Sequence, residues 1–131
     1  MSRFEDIKLI ELRLRSRYDN IYYGERISHC ILKNMISEVK DYLGKGISPN
    51  LLHNGHTLLT LAVSEGRVTI VRELLKRGSD IYLRNGHGDS ALDCKPKRYA
   101  GRINTLLQER KAFKNFLYGE VKQWTVLKNN Y

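Results

Sequence analysis

A chain of 131 residues, 41% apolar and 28% charged, has room for one domain with its own core and none for a separate catalytic domain. Its 23 Lys and Arg against 14 Asp and Glu give a formal net charge of +9, a field that favours an acidic protein surface, nucleic acid or an anionic membrane without choosing among them. Cys30 and Cys94 share no short pairing motif, which fits an intracellular, cytoplasmic or nuclear, reducing compartment better than a disulfide framework.

No window approaches 18 uninterrupted apolar residues, and the acidic Glu5 and Asp6 stand where a signal peptide would be basic and then apolar. The expectation is therefore a soluble chain that begins near Met1. In chain order, Phe4, Ile7, Ile10, Leu14 and Ile21 recur at helical steps and predict an amphipathic helix over about 5–16. Within a leading segment 1–26, that helix is expected to cap the apolar end of the helix pairs after it. Arg13, Arg15 and Arg17 spread over too wide an arc for a phosphate stripe and read better as a solvated face.

Residues 27–50 predict a helix pair, with Ile27, Cys30 and Ile31 on one inner face and Ile36, Val39, Tyr42 and Leu43 on the other, stopped at Gly46. Residues 51–84 hold the best-formed unit. Thr57 caps its first helix, Leu59, Leu61, Ala62 and Val63 fill the inner side, Gly66 turns the chain, and Val68, Ile70, Val71, Leu74 and Leu75 line the second helix before Gly78. Residues 85–110 repeat the pattern with losses. Ser90-Ala91-Leu92 starts it, but Lys95 stands where the better unit has Ala62, and Pro96 shortens the first helix. A second helix is predicted over about 101–109 with Ile103, Leu106 and Leu107 inward. In 111–131, Phe113, Leu117, Val121 and Trp124 form a stripe read as a helical cap, the alternative being an exposed basic and aromatic tail.

Gly55 and Gly88 open two similar stretches 33 positions apart, the mark of stacked units that bury their apolar faces only against neighbours. Gly55, Thr57, Leu59, Ala62, Gly66, Ile70, Val71, Leu74, Leu75, Gly78 and Asp80 resemble the ankyrin-repeat pattern residue by residue. The resemblance implies an all-α solenoid of stacked helix pairs with β-turn loops and helical caps. Leu58 replaces the proline and Thr60 the histidine of the family's Thr-Pro-Leu-His turn, so its hydrogen-bond lattice is expected to be incomplete and the turns looser.

The same resemblance implies recognition without catalysis or cofactor, through turn tips and the inner face of the first helices. It points to His53, Asn54, His56, Arg84, Gly86, His87 and Asp89 at the tips, Ser64, Glu65, Lys97 and Arg98 on helix ends, and Arg77 before Gly78. The expected partner is a protein with an acidic surface, inhibited or modulated by the chain, which in size also resembles the minimal ankyrin proteins that viruses and intracellular bacteria direct at host proteins. His53, His56 and His87 could cluster around zinc, but no fourth ligand has a compelling spacing, so they read as contact residues. Lys95, Arg102, Arg110, Lys111 and Lys114, with Lys97 and Arg98, interleave with Tyr99, Phe113, Phe116 and Tyr118, which gives an alternative reading as a weak nucleic-acid binder. Docking as a structural subunit through the tail is the third reading.

Overall fold

The computed structural model describes the backbone of residues 3–129 and the side chains of residues 6–117, Ser16 and Asp19 excepted. Helix α1 (Arg3–Leu32) is followed by α2 (Ile36–Gly44), strands β1 (Leu52–His53) and β2 (His56–Thr57), α3 (Leu58–Glu65), α4 (Val68–Lys76), a 3-10 turn at Ala91–Asp93, and α5 (Ala100–Asn129). The last turns of α1 pair with α2, α3 with α4, and the 3-10 turn with α5, making three stacked units. Ile27, Ile31, Val39, Leu59, Ile70, Leu74, Ile81, Ile103 and Leu107 fill the core between them.

The backbone itself repeats. Asn34, Gly66 and Tyr99 all turn between the paired helices with positive φ, at 56°, 71° and 54°. The N–H of Met35 donates to the Cys30 carbonyl and that of Arg67 to the Ala62 carbonyl, the same closure in successive units. Gly66 also has a steric duty: a Cβ there would lie 2.6 Å from the Arg98 carbonyl oxygen. No other residue both tolerates the left-handed turn and leaves that space open.

Strands β1 and β2 form a two-residue hairpin in which Leu52 faces Thr57 and His53 faces His56. Asn54 and Gly55 at its tip have φ of 50° and 76°, the paired positive values that a tight hairpin requires and Asn-Gly adopts readily. The next loop docks against this first finger, Gly86 N–H donating to the Gly55 carbonyl at 2.7 Å. Below the tips, Ser79 Oγ donates to the Pro49 carbonyl at 2.9 Å and Asp80 N–H to Asn50 Oδ1 at 2.7 Å. Two arginines reach back one unit to helix ends. Arg67 donates to the Ile31 and Leu32 carbonyls closing α1, and Arg110 to the Leu75 carbonyl near the end of α4, where a cation also complements the helix dipole.

The Thr57 turn corrects the expectation of a loose lattice. Thr57 Oγ accepts from Thr60 N–H at 2.9 Å, Thr60 Oγ accepts from Thr57 N–H at 3.0 Å, and Thr60 Oγ–H donates to the Thr57 carbonyl at 3.1 Å. Both side chains are buried. A β-branched hydroxyl at position 60 thus closes the turn from within, where the family places an imidazole.

The end helices are longer than the sequence suggests. α1 runs unbroken through the expected stop at 16 and through the 26/27 boundary, because residues 17–26 hold no proline and Gly24 is packed against the His53 side chain. α5 likewise passes residue 109 and the 110/111 boundary. Ile21 is 67% exposed while Ile27 is fully buried. At about 100° per residue, the Ile7, Ile10, Leu14 and Ile21 stripe lies opposite the face of α1 that meets the core, so these residues do not cap it. Phe113 and Leu117, expected inward, are 54% and 43% exposed; the side chains of Phe4, Val121 and Trp124 lie outside the described residues. Nine-residue α4 ends at Lys76, close to where Arg110 of α5 meets the Leu75 carbonyl.

Candidate functional site

The inner helices and the first finger enclose an open groove of about 810 Å³. One wall is α1, with Glu25, Arg26, Ser28, His29 and Leu32; the opposite wall is α3, with Leu61, Ser64 and Glu65; the finger contributes His53, Asn54 and His56. The walls are side by side because Ile27, Cys30 and Ile31 point inward from α1 as Leu59, Ala62 and Val63 do from α3. The residues between these anchors must then face out of the stack on its inner side.

Of the expected contact residues, five therefore share one groove: His53, Asn54, His56, Ser64 and Glu65. Lys97 reaches its rim, pairing with Glu65 at 2.9 Å, while its N–H donates to the Ser64 carbonyl at 3.0 Å. Arg98 packs its backbone on Gly66. Both residues thus also hold the third unit against the second.

Arg84, His87 and Asp89 form the second finger. Asn85 Oδ1 accepts from the N–H groups of His87 and Asp89, at 2.9 and 3.0 Å, and Arg84 Nη1 donates to the Gly88 carbonyl at 2.7 Å. The finger is therefore fixed by its own polar groups and presents an exposed His87. Arg77 stands apart from both fingers, at the end of α4, where it pairs with Glu73 at 3.1 Å.

His56 and His87 approach edge to face, ring centroids 6.4 Å apart. His56 Nδ1 is buried without a hydrogen-bond partner, and His53 rests on Gly24. Among the described residues no group of three or more His, Cys, Asp or Glu is placed to hold a metal ion. Burial pushes the thiols of Cys30 and Cys94 up from their ordinary pKa, with Glu38 adding to the effect at Cys30. Both stay protonated near neutrality and are poor nucleophiles.

The basic set divides. Lys95, Arg102 and Lys111 are exposed, and Arg102 lies 5.9 Å from the Tyr99 ring. Arg110 is half-buried on the Leu75 carbonyl, and Lys114 is half-buried with Nζ 5.9 Å from the Tyr82 ring. Tyr99, Phe113 and Phe116 face solvent; the Tyr118 side chain lies outside the described residues.

Glu25, Arg26, Ser28, His29 and Leu32 are the groove residues the sequence reading missed. The signal was present: aligning Ile27, Cys30 and Ile31 with Leu59, Ala62 and Val63 puts His29 level with Leu61 and Leu32 level with Ser64.

Stacked helix pairs joined by protruding fingers, with a groove between fingers and inner helices, define a repeat protein built as a binding surface. Residues 43–94 match the family of ankyrin repeats (many copies). Repeats of this family are non-enzymatic modules that mediate protein–protein interaction. The search of curated proteins found no match. Among the described residues no helix is long and apolar enough to cross a membrane.

Proposed function

We propose that the chain acts inside a cell by seating a protein partner in the groove between α1, α3 and the first finger, and that it inhibits or modulates that partner. The observation that carries this reading is the groove itself, which has His53, Asn54, His56, Ser64 and Glu65 on one open surface beside apolar Leu32 and Leu61. The net charge of +9 favours a partner with an acidic surface. Two free cysteines, Cys30 and Cys94, suit a reducing compartment. The small number of units is in keeping with a viral or bacterial factor that intercepts a host protein.

The test is affinity capture from the native cell, with and without nuclease, using the wild-type chain and the variant Arg26→Glu, His29→Glu, Arg84→Glu. These side chains are exposed, so the variant should melt within a few degrees of wild type and lose the captured protein. A folded variant that still captures it would remove the groove from consideration.

Tyr99, Phe113 and Phe116 are exposed beside Arg102 and Lys111, and this favours a second reading in which the basic helix binds single-stranded nucleic acid by stacking and phosphate contact. Such binding should be weak, independent of sequence and log-linear in salt. Submicromolar affinity for an oligonucleotide at physiological salt would place it first. Nuclease-resistant capture that depends on the groove would set it aside.

A further inference from the structure

The tripeptide Asn-Gly-His occurs twice, as Asn54-Gly55-His56 at the first finger and Asn85-Gly86-His87 at the second, and no other asparagine of the chain precedes a glycine. Such an asparagine carries its own chemistry. The backbone nitrogen of the next residue can attack the side-chain amide carbon, and glycine leaves that nitrogen without a side chain to screen it. Because the two tripeptides are identical, a large difference in reactivity between them has to come from the fold.

The fold treats them oppositely. At the second finger both reacting groups are engaged: Asn85 Oδ1 accepts from the N–H groups of His87 and Asp89 at 2.9 and 3.0 Å, and the Gly86 N–H donates to the Gly55 carbonyl at 2.7 Å. Asn85 is also half-buried. At the first finger Asn54 is exposed, and the hydrogen bonds at its tip are the pairing of His53 with His56 and the one that the Gly55 carbonyl receives. Among the described residues, the Asn54 side chain and the Gly55 N–H have no partner. Asn54 holds φ at 50°, a left-handed conformation that its Cβ disfavours, and it stands at a loop tip, where local opening is easiest. Rotation that brings the Gly55 nitrogen onto Asn54 Cγ therefore breaks no side-chain hydrogen bond.

We propose that Asn54 is a site of spontaneous deamidation and that the second finger protects Asn85 from the same reaction. The Gly55 nitrogen gives up its proton and bonds to Asn54 Cγ as the Cγ–Nδ2 bond breaks. That proton leaves with the departing nitrogen as ammonia, and a five-membered imide remains. Water then opens the imide: cleavage of the new N–Cγ bond gives aspartate, and cleavage of the original peptide bond gives isoaspartate, whose main chain runs through Cγ. Either way one water enters, one ammonia leaves and a carboxylate appears, with no change of oxidation state. Its charge falls on the groove lining that also holds Arg26, His29, His53 and His56. Where the groove reading holds, this carboxylate repels an acidic partner, and isoaspartate further adds a backbone atom to a two-residue turn that has no room for one.

The test is peptide mapping by mass of the folded full-length chain during incubation at neutral pH, with no partner present, so its outcome does not depend on the groove reading. Asn54 should convert from amide to acid, part of it as isoaspartate, at least about tenfold faster than Asn85, whose hydrogen bonds must break first. In denaturant at the same pH the two sites should convert at similar rates. A folded chain that converts Asn85 as fast as Asn54, or that keeps both amides while denatured chain loses both, would overturn the proposal. A preference for Asn54 that persists undiminished in denaturant would overturn it too, by assigning the difference to sequence instead of fold. The effect on the groove is read separately: Asn54→Asp should lose the partner that fresh wild type captures, and retained capture alongside confirmed amide loss would count against the groove reading alone.

Discussion

The second and third units begin alike and end differently. Thr57 and Thr60 form a reciprocal cap at the start of α3, and 33 residues later Ser90 and Asp93 form the same kind of cap, Ser90 N–H donating to Asp93 Oδ2 at 3.0 Å. α3 then continues for eight residues, whereas the later turn stops after three. Cap quality does not account for the difference. After its cap, α3 has Leu61, Ala62 and Val63, all buried, while the third unit has Cys94, Lys95 and Pro96. Pro96 has no N–H for the next helical bond, and Lys95 cannot enter the apolar site that Ala62 fills. A cap nucleates a turn; backbone donors and apolar burial propagate it.

If burial in the second unit is what the third leans on, removing it should have the largest effect. Leu74 is fully buried in α4, against which α5 packs. Leu74→Ala should cost about 2–5 kcal/mol in chemical denaturation and release both units together. Independent melting of the third unit would show that the two are not one cooperative block.

The turn between paired helices sharpens the contrast. Gly66 and Tyr99 hold the same left-handed conformation, but only Gly66 has the Arg98 backbone against it. Gly66→Ala should cost about 1–3 kcal/mol, from the backbone conformation and from displaced Arg98. Tyr99→Gly removes the conformational strain of a side chain there and should change stability by less than about 1 kcal/mol. Equal effects at the two sites would mean that Arg98 yields freely.

The caps come next. Thr60→Val keeps the shape and removes the buried hydroxyl on which Thr57 N–H depends, for an expected loss of about 1–2 kcal/mol. Ser90→Ala should cost less, because the loop it opens is short and Asp93 is exposed. Thermal melts of the two variants decide the order.

The second unit was legible because its residues mean one thing each: glycines at turns, threonine at a cap, leucines at core spacing. α1 was not, because two opposed apolar faces blur the single period that sequence reading seeks. Its exposed stripe was therefore read as the inward one. Phe113 and Leu117 were misread for a related reason: they continue the helical period of Leu106 and so were read as an inward cap, and period alone does not show where the supporting surface stops. Arg110 was read only as part of the basic run and Arg67 was not singled out, although their contacts 35 or 36 residues back close two helix ends. Thr60 was counted as a loss because a hydroxyl's reach to its own turn depends on a rotamer, which composition does not reveal. The groove was half legible: its finger and α3 wall came from the repeat pattern, and its α1 wall needed that pattern carried back across a helix whose other half belongs to no repeat.

The smallest expected effect is a pH effect on the third unit alone. Hydrogen bonds from the Ser90 backbone N–H and hydroxyl, with a smaller contribution from the Arg84 charge, hold the Asp93 carboxyl below its ordinary pKa. The ionised form is therefore favoured in the folded chain. Its contribution to stability is complete above the unfolded value near about 4 and is lost as pH falls through the lower folded value. Thr57 and Thr60 do not titrate, so the second unit has no counterpart to this loss. Amide exchange followed from pH 6 towards pH 3 should show protection falling first around Asp93 and Cys94 while Thr60 and Ala62 hold. Asp93→Asn should bring that early loss to neutral pH and flatten its pH dependence. If the wild-type chain loses protection at Thr60 and Asp93 together as pH falls, the third unit has no separate acid sensitivity, and the two caps report a single cooperative opening.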